Sequence, residues 1–434
     1  MLLEALPAFL LTLCLVTVAG LRFRISPFFI LIGGAVVYGV LTGMSPGQLI
    51  TDITTGLGQV FAAFAIIILS GSVIARLMQE QDHVTVILAD IHRVIRSPWQ
   101  LAGTAGFLLS VPVTCCITAY VMLIPLLDRI KGKGKFATAP FYLAAIGSII
   151  SFALIYPTPV VIPLLSSLGK GTSPIMYDLV AIPVSLLLLG VLFITAYFVI
   201  FRAKPGTPGP APVSGNGVSI LAEPEKGAGR GLHLRAWAPF LAIILAIPVG
   251  LFLIGLSSGD LIQMIMLTGA FTSIVLSPGE IRSSALQSAA KHGGVIIFDI
   301  CGAGALGAVI VGSGFTEGAV ALLSSLLPVI LIPFIIAALI ATAQGSRVVT
   351  AVITGQILAG SSIAAAFHPI PLILMVAAGS CIISYVTDPF FWLVQRTTGD
   401  SLQAVSRGYT LPLAGLGVIL FFIALILAET VFSV

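Results

Sequence analysis

Three ionisable side chains, Asp299, Arg347 and Asp388, lie deep within apolar sequence. Charges in such surroundings are costly and by default functional, with a partner close by. An arginine there offers a planar fork that grips a carboxylate through two parallel hydrogen bonds. Arg347 is therefore either a clamp for an anionic ligand or half of a structural ion pair with Asp388 or Asp299. Asp388 is suited to accepting ligand hydroxyls or to taking a coupling proton. Asp299 precedes Gly302, Gly304 and Gly307, a run suited to close helix packing, and is either a proton site or part of a helix–helix ion pair.

Around these charges stand hydroxyls and prolines in a doubled pattern. Residues 110–120, SVPVTCCITAY, are echoed by residues 342–352, TAQGSRVVTAV, at an offset of 232 that pairs Thr118 with Thr350 and Thr114 with Ser346. Residues 147–159 and 379–389 echo each other near the same offset. Within them, Tyr156-Pro157-Thr158-Pro159 and Thr387-Asp388-Pro389 remove amide donors and break a helix. Non-helical backbone at membrane depth must line a cavity or be buried in protein. Four such places, two tips and two breaks, predict one cavity ringed by half-helix N-termini, which favour anions. Its expected substrate-binding residues are Thr114, Cys116, Thr118, Thr158, Gln344, Gly345, Ser346, Arg347, Thr387 and Asp388, with Asp388 and Asp299 as ion-coupling candidates. Hydrophobic segments interrupted at corresponding places are the mark of a secondary transporter.

The elements that must position these residues follow from composition. The chain has 434 residues, 58% hydrophobic and 8% charged, where soluble domains carry about a quarter charged residues. It is expected to be an all-α polytopic membrane protein, since apolar runs of ~20 residues recur and ~10-residue alternation does not. The net charge of +4 comes from loop lysines and arginines and implies no nucleic acid. The five cysteines lie in apolar segments without metal-ligand spacing and read as packing residues. No metal or cofactor is expected. With no H-E-x-x-H and with His83, His92, His233, His292 and His368 peripheral, an enzyme is not expected either. The first twenty residues carry Glu4 and place Arg22 and Arg24 after the apolar run, which predicts a membrane helix and not a signal peptide.

Charge sets the orientation. With segments 98–128 and 326–361 turning back without crossing, every lysine and arginine except Lys170 and Arg347 falls on the cytoplasmic side, as the positive-inside rule requires. Arms of ~15 residues span ~22 Å, short of a ~30 Å hydrocarbon core. Residues 1–201 and 237–434 then each supply five crossings and one re-entrant hairpin. Because five is odd, the second half is inserted upside down. The expected fold is an inverted repeat with both termini outside and residues 202–236 as a cytoplasmic linker. Residues 84–96 place Val84, Ile87, Leu88, Ile91, Val94 and Ile95 on one face, with Asp90, Arg93 and Arg96 opposite, which predicts an interfacial helix.

The sequence resembles the gluconate permease family of proton-coupled sugar-acid transporters, part of an ion-transporter superfamily whose members work as elevators. The resemblance rests on AQGS at 343–346, on Ser384–Val394 (SYVTDPFFWLV) against the family's H-V-N-D-S-G-F-W-L-V, on Val111-Pro112-Val113, and on Tyr156-Pro157-Thr158-Pro159 against its P-P-H-P. Four positions depart from the family pattern. Its aspartate is Cys116 here, its histidine Thr158, its asparagine Thr387, and Arg347 stands where a small residue is usual. The resemblance implies a membrane-embedded symporter of a small organic anion, a sugar or hydroxy acid, with H+ as the coupling ion. It also implies a homodimer held through scaffold segments 1–97 and 237–325, which flank a moving transport domain of 98–201 and 326–434. The hydroxyl-rich tips (Thr114, Thr118, Ser346, Thr350) keep a sodium-coupled carboxylate carrier as the alternative.

Overall fold

The computed structural model describes residues 2–23, 26–95, 97–131, 137–201, 233–256, 258–314, 322–323, 325–385 and 387–432, so most of the expected linker lies outside them. Among the described residues every regular element is a helix. The first half supplies α1 (Leu2–Phe23), α2 (Pro27–Leu41), α3 (Pro46–Glu80), α4 (His83–Val94), α5 (Pro98–Val113), α6 (Cys116–Ile130), α7 (Ala139–Leu154), α8 (Val161–Leu168) and α9 (Pro174–Phe201). The second supplies α10 (Leu234–Pro248), α11 (Ser258–Leu276), α12 (Gly279–Gly312), α13 (Ile332–Gln344), α14 (Arg347–Ala359), α15 (Pro369–Gly379), α16 (Pro389–Thr398) and α17 (Leu411–Thr430).

The centre is the pair α3 and α12, which lie along one another and are flanked by α2 and α11. At 35 and 34 residues they outrun the apolar segments 57–78 and 293–312 by which hydropathy marks them. Hydropathy registers only the lipid-compatible stretch, whereas backbone hydrogen bonding continues through polar residues. Ser45 starts α3 early, its hydroxyl accepting from the Gln48 amide at 3.3 Å with Pro46 in the first turn. The two backbones touch where Gly56 faces the Gly304 carbonyl, leaving no space for a β-carbon.

Segments 98–128 and 326–361 each fold into two helices. The arms, 16 and 15 residues in α5 and α6 and 13 each in α13 and α14, span roughly 20–24 Å against a ~30 Å core. Segment 138–168 breaks after Leu154 and resumes at Val161, and segment 369–394 breaks after Gly379 and resumes at Pro389. Four helices, Pro46–Glu80, Pro174–Phe198, Gly279–Gly312 and Leu402–Thr430, are each long and apolar enough to cross a membrane.

One expectation needs correction. Asp90 does not face away from the apolar side of α4 but is 8% exposed. Its carboxylate accepts from the Trp237 indole at 3.0 Å and the His233 backbone amide at 3.3 Å. It thereby fixes the start of α10 to α4. A carboxylate so placed has exchanged water for donors, which period analysis of one helix cannot register.

The seam between α3 and α12 yields a direct expectation. Gly56→Val should force the two backbones apart and destabilise the protein by about 1–3 kcal/mol, the usual range for overpacking. A thermal midpoint in detergent unchanged from wild type would refute this close contact.

Candidate functional site

The tips are built by local backbone chemistry. After α5 the chain turns at Thr114, whose φ is 53°, and Cys115 caps α6 with its Sγ accepting from the Thr118 amide at 3.5 Å. Thr114 is 4% exposed and packs on Gly71 of α3. At the other tip Gly345 takes φ 64°, a conformation that costs glycine little. A β-carbon there would collide with the Thr387 carbonyl. Ser346 then caps α14, its hydroxyl accepting from the Val349 amide at 3.3 Å.

The breaks are satisfied just as specifically. In the first, the Tyr156 amide donates to Asp178 of α9 at 2.9 Å. The Thr158 carbonyl accepts from the Val161 and Ile162 amides at 3.1 and 3.0 Å, and its side chain is fully buried. In the second, the Thr387 hydroxyl donates to the Thr342 carbonyl at 2.8 Å, stitching the break to α13.

Arg347 opens α14 and is 7% exposed, facing Asp388, which is 2% exposed at the start of α16. Its Nη2 donates to the Ser384 hydroxyl at 2.5 Å and to Asp388 Oδ2 at 3.4 Å. Asp388 Oδ2 also accepts from the Tyr409 hydroxyl at 3.0 Å, while Oδ1 caps α16 through the Phe390 amide at 2.9 Å. The ion pair is thus one long contact, and the Nε edge of the guanidinium is buried without a hydrogen-bond partner. The Nε2 atom of Gln344, three residues away at the same tip, is likewise buried and unpartnered. A cleft bounded by Gly345, Arg347, Ser384 and Asp388 adjoins the pair and is too tight to admit a water molecule.

Gln344, Gly345, Ser346, Arg347, Thr387 and Asp388 therefore come together at the second tip and break. Cys116, 5% exposed, lies within electrostatic range of Arg347 and Asp388. Thr118 faces elsewhere, into a cavity of about 270 Å³ between α3, α6 and α12, where its hydroxyl meets His292 Nε2 at 3.1 Å. Asp299 is not part of the cluster. Its Oδ1 accepts from the Phe28 amide at 3.1 Å and the Ser26 hydroxyl at 3.3 Å, capping α2. Ser384 and Tyr409 carry no sequence signal that sets them apart, and His292 belongs to the histidines expected at the periphery.

The fold thus combines two broken helices and two helical hairpins, with a buried charge pair at the second tip and the second break. The chain matches the GntP family permease profile over residues 4–215 and 237–431, and it belongs to that family. It is 26% identical to a gluconate permease of Pseudomonas aeruginosa, over 93% of this chain and 94% of that one. It is 24% identical to the Gnt-II system L-idonate transporter of Escherichia coli, over 90% and 92%. Among solved structures the fold resembles Neisseria gonorrhoeae MtrF, with a TM-score of 0.60 at 16% identity, covering 94% of this chain and 97% of that one.

The pair makes a test of its own. Removing one member leaves a buried charge uncompensated, so Arg347→Ala should destabilise the protein by about 3–5 kcal/mol. Adding Asp388→Asn should restore much of the loss, whereas adding Asp299→Asn should restore none. Thermal midpoints of the three variants decide it, and rescue by Asp299→Asn would contradict the pairing.

Proposed function

We propose that this permease is a secondary active transporter of a small sugar-acid or hydroxy-acid anion, coupled to proton uptake and working as an elevator. The observation that carries the reading is the buried Arg347 at a re-entrant tip, with one edge of its fork open beside a carboxylate from a broken helix. The substrates named for the gluconate and idonate relatives are hydroxylated monocarboxylates, which a guanidinium and nearby hydroxyl and amide groups suit.

Charge balance supports proton coupling. Arg347 and Asp388 cancel each other. A monoanion seated on Arg347 adds one negative charge to a buried site, and an unpaired charge there is costly. A proton taken up by Asp388, with Tyr409 and the Phe390 amide still holding the carboxyl, restores neutrality.

The elevator reading is supported by how elements recur and pack. Hairpin α5–α6 and break α7–α8 have counterparts in α13–α14 and α15–α16, and α3 has one in α12. Together with the cytoplasmic bias of the cations, this favours an inverted repeat with both termini outside. The scaffold would be residues 1–97 and 237–325, joined as a homodimer, and the transport domain 98–201 and 326–434. Carrying the charged ligand with its whole site keeps that charge from lipid.

Uptake of labelled gluconate into proteoliposomes under separately imposed gradients tests the reading. An inward proton gradient should drive accumulation, and Asp388→Asn should abolish it. Arg347→Ala should weaken gluconate binding by about 2–5 kcal/mol. Arg347→Lys should recover only part of that loss, because a point charge cannot reproduce the fork. Accumulation driven by a sodium gradient alone would replace the proton with Na+, and no uptake of any hydroxylated carboxylate would refute the substrate class.

A further inference from the structure

The cleft at Arg347 is closed, yet the molecule opens two residues along α6 from Cys116. The cavity of about 270 Å³ there draws one stripe from each of three helices. α3 contributes Ser72, Arg76 and Gln79, α6 contributes Thr118, and α12 contributes Ser288 and His292. On α3 and α12 the spacings are those that bring helical residues onto one face. The polar lining combines three hydroxyls, an amide, an imidazole and one guanidinium, which are donors and acceptors for a hydroxylated chain and a cation for its carboxylate.

We infer that this cavity is a second binding station for a hydroxylated carboxylate, separate from the Arg347 seat. The inference rests on the transport reading above and concerns a place that reading does not use. Arg76 is its anchor. Nη1 donates to Gln79 Oε1 at 2.9 Å and Nη2 pairs with Glu80 at 3.2 Å, but Nε is buried and has no hydrogen-bond partner. The side chain as a whole is 38% exposed and lines the cavity, so its guanidinium can meet an acceptor there, while Glu80 reduces the net attraction. That combination suits a stop from which a ligand passes on, and the tighter grip falls to the seat where charge is fully buried.

The tip Thr114-Cys115-Cys116 is the partition between the two places. Thr114 packs on Gly71, next to Ser72 of the cavity, whereas Cys116 lies within electrostatic range of Arg347 and Asp388. The hydrogen bond between Thr118 and His292 ties the same hairpin to α12 across the cavity. A hydroxylated ligand in the cavity competes for both of those partners, so filling the station loosens the hairpin from α12.

Labelling at the cavity wall separates the two sites. In a background with the five native cysteines replaced, gluconate should slow maleimide labelling of Ser288→Cys. Protection should survive Arg347→Gln, which removes the inner seat, and the Arg347→Gln/Asp388→Asn double variant replaces it if the single variant does not fold. Arg76→Gln should raise the gluconate concentration needed for protection by about tenfold to a hundredfold, the loss expected for one charge-assisted contact. Protection that disappears with Arg347→Gln, or that Arg76→Gln leaves untouched, overturns the second station alone. If gluconate neither binds nor protects in the folded parent protein, the transport reading falls, and the station with it.

Discussion

The organising constraint is the unavailability of water to backbone groups inside the protein core of the membrane. Two helices stop and restart and two segments fold back as hairpins, so many amides and carbonyls lose their helical partners there. Each needs a replacement, because an unsatisfied peptide group in such surroundings is expensive. Asp178 answers the Tyr156 amide, Thr387 the Thr342 carbonyl, Asp388 the Phe390 amide and Ser346 the Val349 amide. These contacts are why the breaks can exist, and they also fix where the charges of the site must stand.

Asp388 shows how tightly structure and chemistry are joined here. One oxygen serves the helix end, and the other is shared by Tyr409 and Arg347. The carboxyl is thus held in place whether or not the guanidinium remains on it. Arg347 is less constrained, with one long contact to the carboxylate and an edge left open. A pair built this way can exchange partners without the backbone moving, which a bidentate, fully matched pair would resist.

Much of this was legible in the sequence, for identifiable reasons. Prolines and glycines interrupting apolar runs locate the tips and the first break to within a residue or two, because their backbone restrictions hold in any surroundings, whereas the second break already opens after Gly379, well before Pro389. Arg347 and Asp388 were conspicuous because charge is rare in apolar sequence, and the structure pairs them. Asp299 was equally conspicuous but caps a helix, since rarity marks a charge without naming its partner. Tyr409, Ser384 and Asp178 are ordinary residue types whose importance arises only from tertiary proximity. Asp90 was misplaced for a related reason. A helical wheel treats the surroundings as two halves, apolar and wet, whereas α10 brings a third kind of neighbour, the donors of His233 and Trp237.

The same geometry explains why the ligand-sized space is not at the charges. A guanidinium and a carboxylate buried side by side leave a cleft too tight for a water molecule. Space persists instead where polar side chains already have local partners, as Arg76 has Gln79 and Glu80, and Thr118 has His292. On the proposed reading the cavity and the closed pair are two separate places that an anion occupies in turn. Opening the second requires separating two opposite charges in a low-dielectric interior, and only a ligand that brings its own negative charge offsets that cost. On the proposed reading, selectivity for a carboxylate resides in that opening step, because a neutral polyol has nothing to offer Arg347 in exchange for Asp388.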